Sequence, residues 1–329
     1  MQTPALTVDL DVLEANIRRM ADALPGERLR PHVKAHKCTS LARLQRDLGG
    51  HHAFTCATVR EVEGMAAAGL GDDLLLANEV LDCTRLGALA DAARVTVAVD
   101  SEQTIDAAAR GGVKEVLIDI DVGLPRCGAL AADAGRLADL ARSKGLEVRG
   151  VMGYEGQVTA VADRTERAAA TEKAMLRLLA AHADVGGDVV SAGATVTYDL
   201  NTWATEIQAG SYALMDSYFG AMTPEFGQAL HLQLDVISVS SRGWSVANGG
   251  LKALGMDHGP PTLTDGGEVL IVSDEHLTIR HADRTYAVGD RVTVVPAHVD
   301  PTVAYHDVLH VTDADGTVID EWPVDLRGW

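Results

Sequence analysis

The feature that most constrains this chain is a repeat in which a short apolar run is followed by an amphipathic helical stretch. Eight such runs end near Lys34, Cys56, Asn78, Asp100, Asp121, Tyr154, Gly193 and Gln208. Between them lie helical patterns at residues 59–68, 102–110, 130–144 and 164–182. A first helix is expected at residues 11–24, where Leu13, Ile17, Met20 and Leu24 recur at helical spacing. Strands that alternate with helices pair in parallel, and eight regular units favour closure into a (β/α)8 TIM barrel over a doubly wound sheet. The expected barrel domain covers residues 10–230.

The texture changes beyond residue 230. Strand-like runs at 232–239, 269–272, 277–280, 291–295 and 308–312 are separated by turns such as Thr264-Asp265-Gly266-Gly267. A smaller all-β domain is expected over residues 231–329, joined by residues 1–9. The fold class is therefore α/β, a barrel plus a β domain.

Composition narrows the partners. Hydrophobic residues make up 47% of the 329, but aromatics only 4%, so Ala, Val and Leu must fill the core. A formal net charge of −19 repels nucleic-acid phosphates and anionic membranes, which excludes both as expected partners. No basic stretch with an apolar core opens the chain, and no apolar run is long enough to span a bilayer. Cys38, Cys56, Cys83 and Cys127 lack metal or disulfide spacing, so a cytoplasmic protein with reduced thiols is expected.

Active-site groups of such barrels sit just after the C-terminal ends of the strands. The run Arg30-Pro31-His32-Val33-Lys34-Ala35-His36-Lys37 falls at the first of them. A lysine there is partly desolvated, and a lowered amine pKa suits Schiff-base formation with an aldehyde; a solvated basic loop is the other reading. Asp119 to Gly128 follows the fifth strand and carries Arg126 on a glycine-bounded loop, which suits an anionic ligand. Ser191-Ala192-Gly193-Ala194-Thr195 and Gln208-Ala209-Gly210-Ser211-Tyr212 follow strands seven and eight, the usual phosphate site of such barrels. Two ordinary glycine turns are the alternative. Finally, Pro296-Ala297-His298-Val299-Asp300-Pro301 follows a strand. On extended chain, residues two apart point the same way, so His298 and Asp300 offer one nitrogen and one oxygen to a divalent ion. A solvated turn is the alternative there, and His276 and His306 are rival ligands.

Together these motifs resemble the D-threonine aldolase and D-serine dehydratase family, fold-type III pyridoxal 5'-phosphate (PLP) enzymes related to alanine racemase. The resemblance covers nearly the whole chain. It includes the run 30–37, the loop 121–128, Gly153-Tyr154-Glu155-Gly156, residues 205–211, Gly250-Leu251-Lys252-Ala253-Leu254, Ser273-Asp274-Glu275-His276, the His298/Asp300 pair and the closing residues 322–328. It implies that Lys34 is the Schiff-base lysine and that Arg126 lies near the PLP phenolic oxygen. It further implies that Tyr154 contacts the cofactor and that Thr195, Gly210 and Ser211 hold the phosphate. His298 and Asp300 would ligate the metal. Gln208 takes the place facing the pyridine nitrogen; an amide does not protonate the ring, so the cofactor would be a muted electron sink.

The chain also departs from the family pattern. Ala192-Gly193-Ala194-Thr195 stands where the family has Gly-Gly-Gly-Thr, and Asn248-Gly249-Gly250 where it has Asp-Ala-Gly. Gln157, Val158 and Thr159 stand where many relatives place a His. The expected function is a metal-dependent lyase of β-hydroxy-D-amino acids. His-x-Asp resembles the aldolase branch, which points to retro-aldol cleavage to glycine and an aldehyde. The alternatives are a D-serine or D-threonine dehydratase and a non-catalytic PLP-binding regulatory protein. An aspartate oxygen favours Mn²⁺ or Mg²⁺, with Zn²⁺ as the other choice. A homodimer acting on a small-molecule substrate is expected.

Overall fold

Apolar runs of Val, Leu and Ile build seven parallel strands in the computed structural model, which describes residues 1–329. The strands are Ala53–Cys56, Asp73–Leu76, Val95–Val99, Glu115–Asp119, Glu147–Met152, Val189–Ala192 and Glu206–Ile207, paired in chain order. They are buried almost without interruption, as parallel strands covered on both faces must be. The eighth position is filled by residues 29–32. Leu29 bridges to Ile207 on one side and His32 to Thr55 on the other, both in parallel, which closes the ring. The Arg30 and His32 amides donate to the Ile207 and Ala209 carbonyls at 2.9 Å, and the Thr55 amide donates to the Pro31 carbonyl at 2.9 Å. Pro31 has no N–H to extend this pairing, so the segment makes bridges rather than a full ladder.

The connecting helices follow local signals. Thr58 caps Val59–Ala67, Ser101 caps Glu102–Gly111 with a reciprocal Thr104 contact, and Asp163 caps Arg164–Val185. The pattern at 130–144 resolves into a 3-10 turn, Ala131–Asp133, and the helix Ala134–Ser143. Thr39–Gly49 is a further helix, beyond those expected from the sequence. Leu75, Ala98, Leu117 and Met152, from four consecutive strands, pack together in the core.

The N-terminal ends of the barrel strands carry a layer of ions. Arg30, 2% exposed, donates from Nε to Glu206 at 2.8 Å and from its Nη atoms to Asp73 at 3.2 Å. Arg149 donates to Asp73 at 2.9 Å and to Thr96 Oγ1 at 2.7 Å. Burial opposes ionisation of Asp73, but the two guanidiniums outweigh it and hold the carboxyl at about 2. Arg30 is thus committed to barrel packing. It does not belong with the cations of the Lys34 run, where its place in the sequence had put it.

The chain divides into two compact units. The barrel unit takes Met20–Lys34, Ala42–Gly210 and Leu326–Trp329; the other takes Met1–Arg19, Ala35–Leu41 and Ser211–Asp325. The second unit is built on the long strand Leu230–Ser240, whose first seven residues alternate between buried and half-buried. It pairs antiparallel with Ala5–Asp9, Trp244–Asn248 and Arg291–Val295. Ala5–Asp9 also pairs in parallel with Val308–Thr312. This unit is mostly antiparallel sheet, yet it contains the short helix Val299–Ala304, where the sequence reading had only strands. No helix of the chain is long and apolar enough to cross a membrane.

Candidate active site

The C-terminal ends of the barrel strands carry the sequence-identified residues of the barrel unit. Lys34 sits in the 3-10 turn Val33–Ala35, directly after the closing segment, and is half-buried. Its backbone N–H is 3.4 Å from His32 Nδ1. Arg126 is exposed on the loop after Glu115–Asp119, and its guanidinium lies 5.1 Å from the centroid of the Tyr154 ring, itself just past Glu147–Met152. Beneath this loop Asp119 is 4% exposed. Burial first, and the neighbouring Glu79 carboxylate second, push its carboxyl well above the usual range.

The loop after Val189–Ala192 turns at Gly193, whose φ is +92°. A Cβ there would lie 2.8 Å from Ile207 Cγ2, so only glycine makes the turn without displacing the next strand. The chain then enters the 3-10 turn Thr195–Thr197, with Thr195 3% exposed. The Gly193 amide donates to Glu155 Oε2 at 3.0 Å and the Ala194 amide to Thr197 Oγ1 at 3.0 Å. Those two N–H groups are therefore engaged within the protein. Thr195 and the amides that open its short helix are the donors suited to an anion. Gln208 donates from Nε2 to Ser191 Oγ at 2.8 Å, which orients its amide, and Gly210 is half-buried two residues on. An amine at a strand end, an arginine over a tyrosine and a buried threonine at a helix start fit a phosphorylated aldehyde cofactor such as PLP.

Ser211, His298 and Asp300 belong to the other unit. Ser211 is 9% exposed there. His298 is extended, with φ −145° and ψ 120°, but it is the residue that caps Val299–Ala304, and Asp300 lies in that helix's first turn. This corrects the extended-strand geometry expected for the pair. Pro301 marks the difference, because proline is tolerated in the first turn of a helix, and an acid beside it is favoured by the helix dipole. The two side chains still converge, with His298 Nε2 3.6 Å from Asp300 Oδ2. Val299, between them, is fully buried.

Two residues missed in the sequence complete this cluster. Asp257 Oδ2 is 2.7 Å from His298 Nδ1, and Asp257, His258 and His298 can place one ligand atom each within 4.8 Å of one another. The His258 ring stacks on that of His298 at 4.0 Å and 14°. Tyr218 and Phe219 flank His258 at 4.3 and 5.3 Å. Asp216, fully buried, accepts from the Phe219 amide at 2.8 Å and the Val299 amide at 3.0 Å, tying the two helix starts together. Burial pushes its carboxyl up to about 6, against the pull of those amides. The rival His306 is engaged with the Ala253 carbonyl at 3.0 Å, and His276 is an exposed strand residue. The only forewarning of Asp257 and His258 was an Asp-His pair between Gly255 and Gly259. Imidazole nitrogen with carboxylate oxygen is a donor set that fits Mn²⁺, Mg²⁺ or Zn²⁺.

Comparison with known proteins defines the class. The family model described as alanine racemase, N-terminal domain, matches residues 8–217, and a domain model named for serine dehydratase matches residues 229–312. The chain belongs to the alanine racemase-like family and, within it, to the D-threonine aldolase and D-serine dehydratase branch. It is 33% identical to a 3-hydroxy-D-aspartate aldolase of Paracoccus denitrificans (strain Pd 1222), over 100% of this chain and 92% of that protein. It is 29% identical to a D-threo-3-hydroxyaspartate dehydratase of Delftia sp. (strain HT23), over 100% and 98%. The crystal structure of D-threonine aldolase from Filomicrobium marinum superposes with a TM-score of 0.93 at 34% identity, over 100% and 96%.

Proposed function

We propose that this chain is a PLP-dependent lyase of β-hydroxy-D-amino acids whose main reaction is retro-aldol cleavage to glycine and an aldehyde. The observation that carries the reading is Lys34, half-buried in the turn that follows the closing segment of the barrel, in a chain aligned end to end with aldolases. When bound, PLP supplies an electrophilic ring system that accepts the electron pair released at Cα. Lys34 provides the amine that anchors it. Arg126, Tyr154 and Gln208 orient the ring, while Thr195, Gly210 and Ser211 receive the phosphate. In the reaction the β-hydroxyl loses its proton and becomes a carbonyl, the Cα–Cβ bond breaks, and Cα is reprotonated to give glycine.

His298 and Asp300 would hold a divalent ion, with Mn²⁺ or Mg²⁺ favoured over Zn²⁺ by the oxygen ligand. The ion's contribution is to acidify a hydroxyl, as it does a water. Asp257 accepts the Nδ1 proton of His298, which leaves Nε2 directed to the Asp300 side. The proposal divides the work between a barrel at 10–230 and a β part at 231–329 with 1–9, and it extends to a cytoplasmic homodimer. Light scattering at micromolar concentration is expected to give twice the chain mass. Full activity as a monomer would contradict the dimer.

Dehydration to a 2-oxo acid and ammonia is the second reading, supported by the full-length similarity to the Delftia dehydratase. Product analysis with D-threonine separates the two: glycine with acetaldehyde, or ammonia with a 2-oxo acid. Chelation is expected to stop turnover and Mn²⁺ to restore it. Turnover untouched by the chelator rejects the metal role.

A further inference from the structure

Glu155 is a fully buried carboxyl that the proposed reaction does not use. It follows the strand Glu147–Met152 and opens the 3-10 turn Gly156–Val158. Its side chain does not point to solvent but across to the next loop. Oε2 accepts from the Gly193 amide at 3.0 Å. Oε1 accepts from the Thr197 hydroxyl at 3.0 Å and from Asn201 Nδ2 at 3.3 Å. These partners reach further. Thr197 Oγ1 accepts from the Ala194 amide at 3.0 Å, and Asn201 Oδ1 accepts from the Ala204 amide at 3.2 Å. One carboxyl therefore fixes both sides of Thr195, from Gly193 to Ala204.

The chemistry of the network matters. A carboxylate out of water is costly unless donors surround it, and here three converge on it. Burial still pushes the group's pKa up, against the pull of those donors. Within the loop only the Thr197 hydroxyl braces the turn, at the Ala194 amide; Gly193 sits at φ +92°, and Ala194 has no side-chain oxygen to cap the turn. A carboxyl from outside the loop therefore braces its path at Gly193 and at Thr197.

We infer that Glu155 is a positioning residue for the PLP phosphate: its carboxyl locks loop 193–197 in the conformation that presents Thr195 to the anion. This rests on the PLP reading above. Glu155→Gln keeps the shape but breaks the network. Either orientation of the amide turns its NH2 toward an N–H donor, Gly193 on one side or Asn201 on the other.

The test compares apo protein reconstituted with PLP and with pyridoxal, which has the aldehyde and ring but no phosphate. Wild type is expected to prefer PLP strongly. Glu155→Gln is expected to lose about tenfold or more in PLP affinity while pyridoxal affinity stays within about twofold, and the phosphorus resonance of bound PLP should shift or broaden. Glu155→Asp, which shortens the strut but keeps its charge, is expected to recover part of the loss. An unchanged PLP affinity in Glu155→Gln overturns the inference, as does an equal fall for both ligands, which would mark a purely structural role. A wild type that binds no PLP rejects the cofactor reading itself, and the inference with it.

Discussion

The two ends of the barrel treat charge in opposite ways. At the N-terminal ends of the strands, Arg30, Arg149, Asp73 and Glu206 satisfy one another, and Asp73 is held down at about 2. At the C-terminal ends, buried carboxyls are pushed upward instead: Asp119 by burial and Glu79, Glu155 by burial. A charge layer that cancels itself serves the fold. Acids kept above their ordinary range, Asp119 with Arg126 nearby, lie at the end where the proposed function places the chemistry. The same burial gives opposite outcomes: at Asp73 two guanidiniums outweigh it, while at Asp119 and Glu155 it prevails.

That contrast can be broken by mutation. Lys34→Ala is expected to cut turnover by on the order of 1,000-fold or more while the midpoint of chemical unfolding of the apo protein barely moves. An unaffected rate would remove the mouth from the mechanism. At the other end, Arg30→Met is expected to lower stability by roughly 3–5 kcal/mol, because Glu206 keeps its charge without its partner and Asp73 is left with Arg149 as its close guanidinium. Urea unfolding measures this, and kcat per folded molecule should stay close to wild type.

Much of this barrel was legible in the sequence because its information is local. Apolar runs, capping residues such as Thr58, Ser101 and Asp163, and the glycine turns each specify their own element. The cation run was misread at Arg30 because its partners, Asp73 and Glu206, are distant in the sequence and meet it only once the ring closes. His298 and Asp300 do converge, but not through the two-residue alternation of extended chain, since Asp300 and Pro301 lie in the first turn of a helix. Asp257 lies 41 residues before His298, and no periodicity spans that gap. The Glu155 strut was hidden in the same way, because it joins the loops after two different strands.

In the second unit, the cluster about His298 gives a smaller effect that sharpens the comparison. Asp257→Ala is expected to weaken Mn²⁺ binding by about 10–100-fold in a paramagnetic-resonance titration, with the apo fold unchanged. A loss as large as that of His298→Ala would make Asp257 a ligand and not an orienting group.

The smallest effect is a pH dependence. The folded pKa of Asp73, about 2, lies below its ordinary value of 3.8. The stability it contributes is therefore complete above about 4 and is lost as the pH falls towards 2. Asp119 and Glu155, raised in the fold, act in the other direction, favouring the folded state as they take up protons. Asp73→Asn is expected to flatten the acid limb of the stability curve, measured by thermal melts between pH 5 and pH 2. A limb unchanged by the substitution would detach Asp73 from acid stability.

Lys34, in the turn that follows the closing segment of the barrel, is expected to hold the cofactor. Reduction of the PLP-loaded protein with borohydride, followed by peptide mass spectrometry, tests it directly. The account predicts a single phosphopyridoxyl label on Lys34, and a label on Lys37 or on Lys252 would contradict it.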